Sequence, residues 1–191
     1  WRLAAEKERQ ALAAVSVGYN SSFVVESGAA VSFTSRMLLS GVMQLRGEMH
    51  ISNQADLASW PGGNNPLYSQ PMEKEYPVSE KGGYCVAESG GLISGVGIVD
   101  ARLLHMKAKS TLAPGNSPGT IVLADLNMEP ESKLVMEIGG TQNGEFDSIQ
   151  VSGSAHLAGT LEVTEVNGFE VQEGTQFELI QAETVSGSFT E

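Results

Sequence analysis

Hydrophobic and polar residues alternate in short runs along most of the chain. From about Ser22, runs such as FVVESG, AVSFTS, MLLSG, VMQLRG and MHISN each have the length of one short strand, and the turns between runs carry glycine, serine or asparagine. The pattern resumes at YCVAES and continues through KLVMEIGG, FDSIQVSG and TQFELIQA. Short alternating runs bounded by turn residues are typical of β-strands. The pattern therefore predicts an all-β fold with a strand about every 8–12 residues.

Two all-β architectures fit this pattern, a β-sandwich and a β-solenoid. The corners favour the solenoid, because small-residue corners that bend the chain recur: Glu-Ser-Gly at 26–28 and 88–90, Ser-Gly at 40–41, 94–95, 152–153 and 186–187, and Ala-Gly-Thr at 158–160. Successive rungs then stack about 4.8 Å apart and their inward residues form apolar columns. We predict that these columns contain Leu134, Met136, Ile138, Ile149 and Val151, and most of Met37, Leu39, Leu123, Leu126, Leu157, Leu161, Val163, Phe177 and Leu179.

Two segments depart from the strand pattern. Residues 1–14, WRLAAEKERQALAA, consist of strong helix formers with mixed charges, which predicts a helix, and residues 1–20 as a whole are predicted to cap the solenoid of residues 21–191. Residues 58–82 hold four of the seven prolines and read as a loop insertion. Trp60, Tyr68 and Tyr76 in that loop are candidate contact residues. The alternative is that the loop folds back over its own flank of the solenoid.

The charge is uneven along the chain. The net charge is -12, yet residues 1–119 carry ten acids and ten bases, so the excess lies in residues 120–191, where Lys133 is the single base. This distribution argues against nucleic acid as a partner, because nucleic acid binding depends on clustered lysine and arginine. No apolar run has the length of a membrane-spanning helix. Cys85 has no second cysteine to pair with, and its apolar flanks predict a buried side chain.

One stretch, APGNSPGT at 113–120, matches a catalytic pattern. Gly115-Asn-Ser-Pro-Gly119 fits the G-x-S-x-G nucleophile elbow, and Asp147 and His156 follow Ser117 in the order of an α/β-hydrolase triad. However, the residue after the serine must donate a backbone N–H to the oxyanion hole, and Pro118 has none. A strand also follows where the elbow needs a helix. We interpret the stretch as a rigid corner between strands, and we expect that Ser117→Ala leaves the function unchanged.

The remaining candidate chemistry is weak. His50, His105 and His156 are far apart in the chain and are interpreted as solvated or rung-edge residues. Gly95-Val-Gly-Ile-Val-Asp100 begins like a dinucleotide fingerprint, but the third glycine is replaced by aspartate, which favours a wall strand. The C-terminal acids lack the basic residues that accompany glycosidase or lyase carboxylates and are interpreted as a solvated acidic wall. No cofactor is predicted, although weakly held Ca²⁺ at Asp125, Asp147 or a neighbouring glutamate is left open.

From about Ala87 onward the chain resembles the repeats of autotransporter passenger domains and of secreted β-solenoid proteins with PEP-CTERM-type sorting tails. The matching phrases are GGLISGVGIV, STLAPGNSPGTIVL, ESKLVMEIGG and FDSIQVSGSAHLAGTLEVTEVNGFEVQEGTQFELIQAETVSGSF. The resemblance implies an exported bacterial protein that folds as a right-handed parallel β-helix and acts outside the cell. The 58–82 loop is not part of the resemblance, and a chain that starts at Trp1 is expected to be a processed or truncated product.

Taken together, these features predict an extracellular, non-enzymatic structural protein: a right-handed parallel β-helix that forms part of a surface layer or a self-assembling fibre. Its predicted partner is itself, through an end-to-end filament, because a solenoid end presents unpaired strand edges. The alternative is an autotransporter-like adhesin that binds a host or glycan surface through the 58–82 loop. A polysaccharide-active β-helix enzyme is a third reading, favoured less by the sequence.

Overall fold

The structure is a computed structural model that describes residues 2–3, 11–12, 15–18, 20–27, 30–33, 36–46, 48–51, 84–100, 103–115 and 118–190. In these residues the regular secondary structure consists of strands alone. The strands are β1 (Arg2–Leu3), β2 (Ala11–Leu12), β3 (Val15–Val17), β4 (Ser22–Val25), β5 (Ala30–Phe33), β6 (Arg36–Leu39), β7 (Val42–Leu45), β8 (Glu48–Ile51), β9 (Tyr84–Ala87), β10 (Leu92–Gly95), β11 (Gly97–Asp100), β12 (Leu103–Met106), β13 (Thr111–Pro114), β14 (Thr120–Leu123), β15 (Leu126–Met128), β16 (Lys133–Ile138), β17 (Ser148–Val151), β18 (Ser154–Leu157), β19 (Thr160–Glu165), β20 (Ile180–Gln181) and β21 (Thr184–Gly187).

The described strands form three parallel sheets of seven strands each. Sheet A has the order β1-β4-β7-β10-β13-β16-β19, sheet B β2-β5-β8-β11-β14-β17-β20, and sheet C β3-β6-β9-β12-β15-β18-β21. Each strand therefore pairs with the third strand after it, as in the parallel pairing of β16 with β19 from Lys133↔Thr160 to Ile138↔Glu165. The prediction of an all-β fold is confirmed. Parallel strands in three stacked sheets are compatible with a β-solenoid.

The core is built from columns of apolar residues that face inward on successive strands. In sheet A, Met43 pairs with Ile93, and Leu112 with Leu134, and all four are fully buried. Burial of side chains of this size contributes about 1.5–3 kcal/mol each. Nine of the fourteen residues named for the columns are buried: Leu134, Met136, Ile138, Ile149, Val151, Met37, Leu39, Leu123 and Leu126. The other five are half-buried or, for Val163, exposed: Leu157, Leu161, Phe177, Leu179 and Val163.

The corners between sheets C and A repeat one hydrogen bond from rung to rung. The first residue of β7, β10, β13, β16 and β19 donates its N–H to the carbonyl that precedes the paired strand, as in Leu92 N–H to Gly41 O (2.9 Å) and Thr111 N–H to Gly91 O (2.8 Å). Corners were predicted at small residues, and those at 40–41, 88–90 and 152–153 lie between strands, as do residues 158–159 before β19 begins at Thr160. The predicted corners at 94–95 and 186–187 are wrong, because these residues are the last two of β10 and of β21. Lys109 and Glu131 also take left-handed corner positions, at φ 66° and 67°, which the sequence pattern did not indicate.

The predicted N-terminal helix is wrong where the structure describes the segment. Arg2–Leu3 and Ala11–Leu12 are strands that pair in parallel with β4 and β5. Helix propensity is a weak preference, and here the hydrogen bonds that β4 and β5 offer along their edges override it. The other residues of 1–14 lie outside the described part of the chain.

The proline-rich segment lies between the end of β8 at Ile51 and the start of β9 at Tyr84. Tyr84 pairs with Arg36 on one side and with Leu103 on the other, so sheet C keeps a regular register across the segment. Arg36 and Tyr84 are far apart in the sequence because the proline-rich segment lies between them. Paired residues that do not span this segment, such as Ser22 and Val42, are closer together in the sequence. The predicted loop at 58–82 itself lies outside the described residues, as do Trp60, Tyr68 and Tyr76.

Candidate functional site at the C-terminal end of the stack

The three sheets end together at their C-terminal edge. Strands β19, β20 and β21 are the last strands of sheets A, B and C, and each pairs with a described strand on one side, namely β16, β17 and β18. A terminal strand leaves a row of backbone N–H and C=O groups directed away from its neighbour. These edges of the described sheets are therefore chemically able to accept further parallel strands.

Apolar residues of the core register become exposed at this end. Val163 pairs with Met136, which is fully buried, but Val163 itself is 46% exposed. Val185 pairs with Ala155, also fully buried, and is 53% exposed. Val163 was predicted to be one of the column residues. It pairs with a buried column residue, Met136, but it is itself exposed. The columns thus reach the last described strands with Val163 and Val185 exposed.

The chain after β21 begins one more step of sheet A. Thr190 forms a parallel bridge with Thr160, and its N–H donates to Gly159 O at 2.7 Å. This repeats the corner hydrogen bond of the earlier rungs, such as Thr160 N–H to Ser132 O at 2.9 Å. The edge of β19 beyond Thr160, from Leu161 to Glu165, carries the exposed Val163.

The rim of this end is strongly acidic. Residues 160–190 contain six glutamates and no lysine or arginine. All six glutamates are exposed: Glu162, Glu165, Glu170, Glu173, Glu178 and Glu183. Lys133, one strand back, approaches Glu162 with its Nζ 2.8 Å from Oε2. Apolar edges inside an acidic rim can contact a partner while repelling a second surface of the same charge.

The described residues of the APGNSPGT stretch lie where β13 ends and β14 begins, at the position predicted for a corner. Pro114 ends β13 and Thr120 begins β14, while Asn116 and Ser117 lie outside the described residues. The corner encloses Asp147. Its Oδ1 accepts the Gly119 N–H at 2.7 Å, and its Oδ2 accepts the Glu137 N–H at 2.8 Å. A side chain at Gly115 would meet this carboxylate, and Gly115 has φ 112°.

Within the described residues Asp147 is therefore a structural brace, and its carboxylate bonds to the Gly119 and Glu137 N–H groups rather than to His156, which fits only the chain order of the rejected triad. His156 lies on β18, is exposed, and has Nδ1 3.1 Å from Ser186 Oγ. Burial raises the pKa of the Asp147 carboxyl from 3.8 to about 6, although the hydrogen bonds from Glu137 and Gly119 lower it, and the charge of Glu137 raises it further. The rejected catalytic pattern would place Asp147 in a triad with Ser117, whereas its carboxylate holds two backbone segments together.

Asp125 has a similar role at another corner. Its Oδ1 accepts the Ser154 N–H at 2.8 Å and lies 3.1 Å from Ser154 Oγ. Asp125 and Asp147 were the acids named for weak calcium binding. Across the described residues, no group of three or more histidine, cysteine, aspartate or glutamate side chains is placed to hold a metal ion.

The histidines are not brought together as one site. His50 lies on β8 in sheet B, whereas His105 and His156 lie in sheet C, each paired with Asn127 between them. The prediction that all three are solvated or rung-edge residues is wrong for His105, which is buried with its Nε2 2.9 Å from Glu129 Oε1. Sequence spacing could not find this pair, because it joins two consecutive rungs.

Two further predictions are tested by the described strands. Gly97–Asp100 forms β11, a wall strand of sheet B, in agreement with the interpretation of the Gly95–Asp100 stretch. Cys85 is fully buried in the core, as predicted, and this burial raises the pKa of its thiol to about 12. A buried thiol with so high a pKa is chemically inert in the folded protein.

Comparisons with known proteins give no assignment. No protein-family model, curated protein or solved structure matches the chain. The resemblance to autotransporter passengers and PEP-CTERM-associated solenoids therefore stays a prediction. In the part of the chain that the structure describes, no helix has both the length and the apolar character needed to cross a membrane.

Proposed function

We propose that this chain is a non-enzymatic structural protein that folds as a right-handed parallel β-helix and assembles end to end outside the cell, in a surface layer or fibre. The observation that carries the proposal is the uncovered end of the core, where Val163 and Val185 keep the register of buried residues but are 46% and 53% exposed. Right-handedness is supported by the strong preference for right-handed connections between parallel strands of one sheet.

The energetics support contact through the whole end rather than through one residue. Covering a valine that is half exposed contributes about 1 kcal/mol, whereas association costs about 4–15 kcal/mol in lost freedom of motion. Two valines are not sufficient to offset this cost. Pairing along the edges of β19, β20 and β21 adds backbone hydrogen bonds, each contributing about 0.5–1.5 kcal/mol net. A stable contact therefore requires that all three sheets continue into the partner.

Sedimentation velocity combined with negative-stain electron microscopy tests the proposal. Unmodified protein should form linear particles that lengthen over about a hundredfold range of concentration, a range that corresponds to about 2.7 kcal/mol. Val163→Lys should shorten them, because it places a charge in the apolar contact. Val171→Lys is the matched control, since Val171 is also exposed (37%) but lies outside the strands and adds the same charge.

Protein that remains monomeric at all concentrations would overturn the assembly. The adhesin predicted from the resemblance would then be the better reading, with the 58–82 loop as its contact element. Deleting that loop should in that case abolish binding to the host or glycan surface while leaving the circular dichroism spectrum unchanged.

A further inference from the structure

We infer that residues 52–83 pack as a fixed layer against the outer face of sheet C. The surface that they contact is an outer patch, which consists of Leu38 on β6, Val86 on β9, and Leu103 and His105 on β12. The inference is independent of end-to-end assembly, and it gives the proline-rich segment a binding surface within its own chain.

The side chains of the outer patch point away from the core. On β9, Cys85 and Ala87 belong to the main core and are fully buried, so Val86 between them faces outward. The same alternation directs the other three members of the patch outward, because their neighbours on β6 and β12 are core residues. Val86 pairs with Leu38 on one side and with His105 on the other, so the patch is continuous across three neighbouring strands.

The centre of the outer patch is more buried than the sheet alone explains. Val86 is 2% exposed. Val135 on β16 is also an outward-facing valine between two strands of its sheet, yet it is half-buried. Among the described residues, Leu38 and Leu103 pack against Val86, but they project from the same face and are themselves half-buried. The burial of Val86 therefore requires a layer above the patch.

The order of the strands identifies this layer as residues 52–83. Every other connection from a strand of sheet B to the next strand of sheet C has two residues, such as 124–125 and 152–153. Residues 52–83 instead form a long connection, which enters sheet C at Tyr84, two positions before Val86. The patch spans three strands, about 10 Å, a distance that a few extended residues can cross. The next longest stretch outside the described residues, 4–10, connects sheet A to sheet B.

The composition of residues 52–83 fits such a layer. They include one tryptophan, two tyrosines, two leucines, one methionine and one valine. Side chains of these types gain free energy when they leave water, and the outer patch offers them an apolar surface. Their four prolines reduce the conformational freedom that packing has to remove. With this layer in place, the outer patch is closed to contacts with other molecules.

Thiol labelling of Val86→Cys in the folded, full-length chain tests the inference. The background is Cys85→Ala, and Val135→Cys is the matched control, because it replaces an outward-facing valine that is only half-buried. The Val86→Cys thiol should react about tenfold more slowly than the Val135→Cys thiol, because a covered thiol reacts only when the layer opens locally. Deleting residues 58–82 should raise the Val86→Cys rate about tenfold and leave the Val135→Cys rate unchanged.

A second variant decides the question if the deletion loses the circular dichroism spectrum of its parent. Combining Trp60→Ser, Tyr68→Ser and Tyr76→Ser in the full-length chain removes the large aromatic groups of the segment. This variant should raise the labelling rate of Val86→Cys and not that of Val135→Cys.

Two results would contradict the inference. A Val86→Cys rate that the folded segment variants leave unchanged would show that another part of the chain covers Val86. A rate that falls as the protein concentration rises, and does not respond to the segment variants, would assign the patch to a second copy of the chain. Neither result bears on end-to-end assembly, which sedimentation tests separately.

Discussion

The brace formed by Asp147 gives a prediction with a defined sign and size. Its carboxyl is fully buried and has a pKa raised from 3.8 to about 6, chiefly by the loss of solvation. The folded state therefore binds this proton more tightly than the unfolded state, and protonation stabilises the fold. The contribution is largest below about pH 4, declines as the pH rises from about 4 to about 6, and is constant above that range.

The magnitude follows from the difference between the two pKa values. About two pKa units at 1.36 kcal/mol per unit correspond to about 3 kcal/mol. Asp147→Asn removes the titration while keeping the shape and one acceptor oxygen. The amide nitrogen of the variant faces either the Glu137 or the Gly119 N–H, and a donor cannot accept a hydrogen bond from another donor. The variant therefore also loses about 1–3 kcal/mol of unfolding free energy at every pH.

Urea unfolding followed by far-UV circular dichroism, from pH 4 to pH 7.5, measures the effect. The other acids titrate in both proteins, so the informative quantity is the unfolding free energy of the wild type minus that of Asp147→Asn. This difference should fall by about 2.5 kcal/mol as the pH rises from 4 to 7.5, because part of the unfolded-state carboxyl is already ionised at pH 4. A flat difference, or one that rises with pH, would refute the reasoning that desolvation controls this carboxyl.

Three further predictions concern the corner, the core and the thiol. Gly115→Ala should lower the free energy of unfolding by about 2–4 kcal/mol, because φ is 112° and the new methyl group meets the buried Asp147 carboxylate. Gly144→Ala, at φ 87° with open space around it, should lower the free energy of unfolding by about 1 kcal/mol in the same urea titration. Equal losses would rule out the contact. Met136 is fully buried, so Met136→Ala should lower the free energy of unfolding by about 2–5 kcal/mol. Val163 is the next residue in the column, and Val163→Ala should lower it by less than about 1 kcal/mol in monomeric protein. Cys85 should not react with a thiol reagent at pH 8 until denaturant is added, and fast labelling of folded protein would contradict its burial.

The alternation of residues was sufficient to predict the all-β fold and nine of the fourteen residues named for the columns. Leu134, Met136 and Ile138 alternate with polar or half-buried neighbours on β16, and this pattern alone assigns them to the interior. Pro118 likewise excluded a nucleophile elbow and favoured a corner, because the missing backbone N–H of a proline can be recognised from the sequence alone. The candidate site was predicted only in outline, as an unpaired solenoid end, since the sequence does not show which strand is last in each sheet.

Tertiary structure decided the features that depend on which rung lies above which. Arg2–Leu3 and Ala11–Leu12 are strands because β4 and β5 offer parallel edges, which local helix propensity cannot anticipate. Asp147 and His105 are buried by residues from neighbouring rungs that are distant in sequence. Val163 has the alternation of a core residue and remains exposed, because burial needs a further strand over it. The sequence by itself determined which side chains face inward, and only the stacking of the rungs decided which of them are covered.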